Sequence, residues 1–246
     1  MLIKIDNHFK RLGLDSGAVV HVGAHEAEER GVYLALNLTP RVWIEAQPSL
    51  AAALSSRLNS PEDSVLQGAV WSERGKTFNF NVSSNSQSSS VLEFGTHAKN
   101  YPDITTVKTI EVESMVLEDV FSDFKNITLL TLDIQGAELQ ALRGAGRELA
   151  KVKAIFTEVN FEKVYKDCAL IDELDSYLGG FGFKRVLTFR TQAGWGDALY
   201  LSKNARNRIS PTLWATRIRL HIRWILEWGS PKLRKLLASK RKDKSS

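Results

Sequence analysis

Short apolar runs alternate with helix-length stretches along most of this chain, and that alternation narrows the fold more than any other feature. Residues 18–22 read as a buried strand that stops at Gly23, with a helix over 26–38. A second strand over 42–45 precedes a helix over 49–58, which Pro48 opens. Further strands fall at 65–70, 127–133 and 152–159, with helices over 137 to about 149 and 169–178. Segments 183–189 and 197–201 complete the series. Strands alternating with helices of these lengths predict an α/β fold with a doubly wound, mostly parallel sheet. Only the loop 190–196 joins the last two strands. That is hairpin length, so one of them must run antiparallel.

Two segments depart from the pattern. Residues 83–90 are polar and serine-rich, and lie between two alternating segments, 77–82 and 107–112, that read as extra strands. Such a run is either a flexible surface loop or a lid over an active site. The second departure is the C-terminal end. The 246 residues carry a formal net charge of +5, unevenly spread. Residues 205–246 hold 12 Lys and Arg against 2 Asp and Glu, which leaves residues 1–204 at −5. We therefore expect a domain over 1–204 and a basic extension over 205–246. At 43% apolar and 25% charged residues, wholesale disorder is excluded.

Within the extension, residues 210–228 read as a helix with Pro211 at its first turn. At 100° per residue, Trp214, Ile218, His221, Ile225 and Trp228 share one face, and Arg219 and Arg223 lie roughly opposite. Leu233, Leu236 and Leu237 repeat the theme beside Lys232, Arg234 and Lys235. Basic amphipathic helices with tryptophans suit peripheral contact with an anionic membrane surface. The bland alternative is packing on the domain or on a second subunit. Nucleic acid is disfavoured, because no base-reading motif occurs and the body is acidic. No apolar core follows Met1 as in a secretory signal, and no run reaches 18 apolar residues. Cys168 is the lone cysteine, so no internal disulfide forms. The expected location is cytoplasmic, with peripheral attachment at the inner membrane surface as an option. Oligomeric state is not legible in the sequence.

Ligands of open parallel sheets bind beyond the carboxyl ends of the strands. The first such end carries Gly23, but His25 and Glu28 stand where a dinucleotide fingerprint wants its second and third glycines. Glu26, Glu28 and Glu29 would also repel a pyrophosphate at that helix start. Phosphate-bearing cofactors are therefore disfavoured, whereas S-adenosylmethionine, an adenosine carrying a sulfonium and no phosphate, suits the charge. Glu45 ends the second strand 22 residues after Gly23, the spacing at which a carboxylate grips both ribose hydroxyls. Residues 67–70 would line the adenine side. Asp133 ends the fourth strand, as a ligand for the cofactor's amino group, a hold on the acceptor hydroxyl or a helix cap. Glu158 ends the fifth in the same way, and Glu138 suits the start of the intervening helix.

Other chemistries lack their residues. His21, His25 and Glu26 mimic a zinc-protease helix, but Glu29 occupies the second histidine's place. No cysteine pair, Gly-x-Ser-x-Gly elbow or phosphate-binding Gly-x4-Gly-Lys loop occurs, so we expect no metal and no nucleophilic serine.

Several blocks carry a family resemblance. Val22-Gly-Ala-His25, Trp43-Ile-Glu-Ala-Gln-Pro48, Leu132-Asp-Ile-Gln-Gly-Ala-Glu-Leu139, Thr157-Glu-Val-Asn160 and Trp195-Gly-Asp-Ala-Leu-Tyr200 together resemble the FkbM family of SAM-dependent methyltransferases. Residues 88–97 are similar to a loop of that family, and the likeness runs over about 19–201. It departs at His21, where many members have Asp, and at Ala27, where Gly is usual. The resemblance implies a class I, Rossmann-like methyltransferase fold and O-methylation of a sugar, glycan or similar small-molecule hydroxyl. The cofactor-binding set expected on these grounds is His21, Gly23, Ala24, His25, Glu26, Glu45, Ala46, Ala69 and Asp133. Methyl transfer from a sulfonium is an in-line displacement, so an enzyme must chiefly align donor and acceptor. A base can assist the hydroxyl, and His97, Asp133 and Glu158 are the catalytic candidates. Two rival readings remain from sequence: a nicotinamide-dependent oxidoreductase, and a non-catalytic methyltransferase-fold adaptor working through its basic tail.

Overall fold

The computed structural model describes residues 9, 10 and 12–207. Its main sheet has seven strands. These are β1 (Gly17–Val22), β2 (Leu38–Glu45), β3 (Asp63–Gln67), β7 (Ile127–Leu132), β8 (Val152–Asn160), β9 (Lys184–Arg190) and β10 (Trp195–Leu201). Their spatial order is β3-β2-β1-β7-β8-β10-β9. The five strands from β3 to β8 run parallel, and β10 is antiparallel to both β8 and β9. The loop between β9 and β10 is too short for a crossover, and this hairpin is the consequence. A second sheet, ordered β4-β6-β5, is built from β4 (Ala69–Val70), β5 (Thr77–Ser83) and β6 (Thr106–Met115).

The β7 sequence ITLLTL is buried at every position, as expected of a strand covered on both faces. Val20, Val22, Ile44, Leu130, Leu132 and Ile155 share one cluster with α5 (Glu138–Arg143) and α6 (Ile171–Gly180), which contribute Leu139, Leu142, Ile171, Leu174 and Leu178. Each fully buried side chain of this size contributes roughly 1.5–3 kcal/mol. Asp63 ties the sheet's edge to the first helix, α1 (Arg30–Ala35). It accepts from Arg41 at 2.7 Å, Arg30 at 2.8 Å and the Trp43 indole at 2.9 Å. Burial would raise this carboxyl, but those donors outweigh it and hold Asp63 at about 2.

Most element boundaries lie within a few residues of the sequence reading, and three elements depart further. The helix expected over 26–38 is only α1. His25 and Ala27 adopt left-handed φ of 44° and 54° before it, and Asn37 does so after it at 53°. These conformations interrupt a helix, and Leu38 begins β2 instead. The strand expected over 65–70 divides at Gly68 into β3 and β4, which belong to different sheets. The helix expected from 137 to about 149 stops at Arg143 and resumes as a 3-10 turn over Gly146–Lys151. Gly144 packs there against the backbone of Trp71, and Gly146 takes φ of 52°. The helix α2 (Pro48–Arg57) starts at Pro48 as its sequence suggests.

Two short helices, α3 (His97–Asn100) and α4 (Leu117–Ser122), belong to the connections, and α7 (Lys203–Asn207) closes the described chain. The expected boundary between 204 and 205 falls within α7. The amphipathic helix expected over 210–228 lies outside the described residues. Among the described residues, no helix is long and apolar enough to cross a membrane.

Candidate functional site

A cleft of about 490 Å³ opens at the carboxyl ends of β1, β2, β7 and β8. That volume is in the range of small-molecule sites. Gly23 follows β1, beside Asp133 at the end of β7. Its φ is 82°, and a Cβ there would overlap the Asp133 carbonyl oxygen. The N–H groups of Gly23 and Ala24 both donate to the Ile44 carbonyl, which extends the β1–β2 ladder to the cleft's rim.

Glu45 ends β2 as a buried carboxylate on the cleft wall. Its Oε2 accepts the His25 N–H at 2.9 Å, and its Oε1 accepts the Gln47 N–H at 2.8 Å. Burial pushes this carboxyl up, against the pull of the Gln47 and His25 amides. Each oxygen keeps a second lone pair, so the group can accept two further hydrogen bonds. Ala46, Ala69, Gly68 and Val70 continue the same wall.

The remaining first-loop residues divide. His25 lines the cleft, and its ring links Glu28 Oε1 and Ser86 Oγ, each at 2.8 Å. His21 lies 3% exposed at the floor. Its ring stacks on Trp43 at 5.3 Å, and Nδ1 shares a 2.9 Å hydrogen bond with Tyr33. Burial drives His21 down to about 4, so it is neutral at pH 7. Ala24 is buried and Glu26 exposed, and neither is among the cleft-lining residues. Ala27 takes the left-handed conformation that a glycine would occupy without strain.

The carboxylates at the ends of β7 and β8 meet through a residue the sequence reading passed over. Gln135 Nε2 donates to Asp133 Oδ1 at 2.6 Å and to Glu158 Oε2 at 3.2 Å. Its Oε1 accepts the Tyr165 hydroxyl at 2.6 Å. Burial raises Glu158 well above the usual carboxylate range, and the charges of Asp133, Glu138 and Asp197 push it further. Glu138 faces inward under the turn after β7, where Oε1 accepts the N–H groups of Ile134 and Gly136. Burial raises it to about 7.

The serine-rich run is a hydrogen-bonded wall of this cleft. Ser88, Ser89 and Ser90 are buried. Ser83 and Ser88 both bond the Asn85 side chain, Ser89 donates to the Ser86 carbonyl, and Ser90 donates to the Gln135 carbonyl. Ser88 Oγ also meets His97 Nε2 at 3.2 Å. His97 stacks on Phe94 at 4.3 Å and packs near Tyr101 and Tyr165. Its Nδ1 is buried without a hydrogen-bond partner. Burial lowers its ring below the usual histidine range, which keeps it neutral at pH 7. Tyr101 and Trp195, joined by a 3.1 Å hydrogen bond, complete this aromatic end.

The cleft therefore has two ends. One, around Glu45 and Ala69, offers an anionic hydrogen-bond acceptor against an apolar wall. The other, around His97, Tyr101 and Trp195, is aromatic, and Asp133, Gln135 and Glu158 lie along the lining with both. Sequence reasoning missed Gln135, Tyr165, Tyr101 and Trp195 as site residues. Gln135 and Trp195 stood within blocks already singled out, which was the available signal. Among the described residues, no group of three or more His, Cys, Asp and Glu is arranged to hold a metal ion.

A sequence model described as the methyltransferase FkbM domain matches residues 21–185. Among solved structures, the chain is similar to a methyltransferase FkbM from Methylobacillus flagellatus KT, with 16% identity and a TM-score of 0.49. That match covers 76% of this chain and 44% of the other, so this chain spans less than half of that protein's length. It is also similar to a putative tRNA (m1A22) methyltransferase from Streptococcus pneumoniae in complex with S-adenosyl-L-methionine. There the identity is 12%, the coverage 94% of each chain and the TM-score 0.43. A putative RNA methyltransferase from Pyrococcus horikoshii gives 9% identity over 79% of this chain and 83% of the other, with a TM-score of 0.42. A comparison with curated proteins returns no match.

Proposed function

Because this chain belongs to the FkbM family of methyltransferases, we propose that it transfers a methyl group from S-adenosylmethionine to a hydroxyl of a sugar, glycan or similar small molecule. The observation that carries this reading is Glu45. It is a buried carboxylate facing the cleft, anchored by two backbone N–H groups and retaining acceptor capacity for a diol.

The rest of the cleft fits the same cofactor. Gly68, Ala69 and Val70 give an apolar wall for a purine. Glu28, Glu29, Asp133 and Glu158 also line the cleft. Such acidic lining favours a sulfonium cation and disfavours a pyrophosphate even where Glu158 holds a proton. When bound, S-adenosylmethionine supplies a methyl carbon already activated for displacement. The protein's task is then alignment of the acceptor and management of its proton. His97 is one base candidate: burial lowers its basicity but leaves the ring neutral at pH 7, with one nitrogen free of a proton. Asp133 and Glu158 would orient the hydroxyl, and Tyr101 and Trp195 would pack the acceptor's ring face.

Calorimetry with S-adenosylmethionine and S-adenosylhomocysteine tests the reading directly. Wild-type protein should bind both, and Glu45→Ala should weaken both by about thirtyfold or more, as expected for losing charge-assisted hydrogen bonds worth roughly 2 kcal/mol. Absence of binding by the wild type, or an unaffected Glu45→Ala variant, would sink it. Label transfer from S-adenosylmethionine into a panel of glycans, followed by location of the methyl group, identifies the acceptor.

A further inference from the structure

We propose that Gln135 is a positioning residue whose side-chain amide braces Asp133 and Glu158 into one pair and so sets how much negative charge that pair presents to a ligand. The inference rests on the proposed function for its ligand, but the brace itself is a property of the protein alone.

The geometry allows one orientation of the amide. A carboxyl oxygen without a proton only accepts hydrogen bonds, whether or not its partner oxygen is protonated, and the Tyr165 hydroxyl can donate to Oε1. The two N–H bonds of Nε2 therefore point to Asp133 at 2.6 Å and Glu158 at 3.2 Å, and Oε1 takes the phenol at 2.6 Å. The backbone is held as firmly as the side chain. Gln135 adopts φ of 56°, a region that side chains enter rarely, and the Ser90 hydroxyl fixes its carbonyl at 2.9 Å. Gly136 follows with φ of 101° and packs against Cys168 and Tyr165, so the turn has little room to relax.

Without a donor between them, two carboxylates at adjoining strand ends repel, and one takes up a proton. Glu158 is faced by Asp133 after β7, Glu138 on α5 and Asp197 across the ladder on β10, with Tyr165 from the loop beyond β8. Asp133 acts in turn on His21 of β1 and Tyr33 of α1, both neutral at pH 7. Burial and these acidic neighbours favour a protonated Glu158, and the Gln135 donor opposes them. Gln135 thus holds the balance between a singly and a doubly charged pair.

The test uses full-length wild type, Gln135→Met and Tyr165→Phe. Carbon-13 titration of the Glu158 carboxyl in ligand-free protein should place its midpoint about one pH unit higher in Gln135→Met, because one hydrogen bond to a charged group is lost. Tyr165→Phe keeps the amide but removes its anchor, so a smaller rise in the same direction is expected. The preference for cationic S-adenosylmethionine over neutral S-adenosylhomocysteine should fall by about fourfold in Gln135→Met near neutral pH, since a more protonated pair attracts a cation less. An unchanged Glu158 midpoint in both variants would overturn the proposal. If Gln135→Met does not fold, Tyr165→Phe alone decides. If the wild type binds neither ligand, the proposed function falls, and the carboxyl titration still decides whether Gln135 is a brace.

Discussion

Gly23→Ala should be among the most damaging single-methyl changes available to this domain. Two costs combine. The residue's φ is 82°, where a β-carbon costs roughly 1–2 kcal/mol. The new carbon would also lie 2.8 Å from the Asp133 carbonyl carbon and 3.1 Å from Ile134 Cγ2, and nearer still to the Asp133 oxygen. Backbone cannot rotate away as a side-chain tip can, so the ends of β1 and β7 must part. We expect a total loss of about 3 kcal/mol or more, in line with severe backbone substitutions. Gly182→Ala supplies the control. Its φ is 79°, but a Cβ there meets nothing within 4 Å, so it isolates the conformational cost. For a chain of this size about 1 kcal/mol moves the melting temperature by roughly 2–4 °C. Gly182→Ala should therefore melt a few degrees below wild type, and Gly23→Ala about 6–12 °C below it. Melting of the two variants at the same temperature would refute the claim that the approach of Asp133, and not φ alone, demands glycine.

Acid stability should depend on Asp63 and His21. Asp63 binds its proton more weakly folded than unfolded, so its contribution of about 2 kcal/mol is present above pH 4 and lost as pH falls toward 2. In Asp63→Asn, melting temperature at neutral pH should drop and its dependence on pH below 4 should flatten; an unchanged acid limb would refute this. The buried His21 ring also resists protonation when folded. The unfolded chain takes up that proton first as pH falls from 6.5, and stability declines until about 4. His21→Asn should show a shallower slope of melting temperature in that window, and an equal slope would count against it. In Glu45→Ala the N–H groups of His25 and Gln47 lose their acceptor, so we expect a loss of about 1–3 kcal/mol in urea unfolding besides the loss of cofactor affinity.

Strands were the most legible part of the sequence, because burial on both faces writes itself as an unbroken apolar run, as in β7. The hairpin of β9 and β10 followed from loop length alone. The helix after β1 was over-extended for a definite reason. Apolar periodicity carries no record of φ, and Ala27 and Asn37 leave the helical region while their neighbours keep its pattern. Gly23 and Glu45 were legible as cleft-lining residues, since one follows and the other ends a strand at the rim where open sheets bind ligands. Gln135 and Tyr165 were not, because their hydrogen bond joins residues 30 apart and depends on how two irregular segments fold. His21 illustrates a different difficulty. The resemblance put it in the cofactor set, and it does line the cleft, but the Trp43 and Tyr33 rings that bury it are distant in sequence. The serine-rich run looked mobile by composition, yet hydroxyls bonded to turns and to one another make it part of the wall.

Gly68 separates two regimes of tolerance to changes in chain length. Its N–H still donates to the Glu45 carbonyl in the main sheet, while the next residue, Ala69, pairs with Ser114 in the small one. One peptide unit thus passes the ladder from one sheet to the other. Adding or deleting a single residue here would turn Ala69 and Val70 to opposite faces, and so exchange what the cleft wall presents. Met115 sulfur, 3.0 Å from where a Cβ on Gly68 would stand, leaves no slack to absorb the change. The tip of β6, where Val107 is 59% exposed, already accommodates an irregularity in its pairing with β5, between Val82 and Ser83. Homologous chains of differing length should therefore vary around that tip and keep a constant count between Glu45 and Val70.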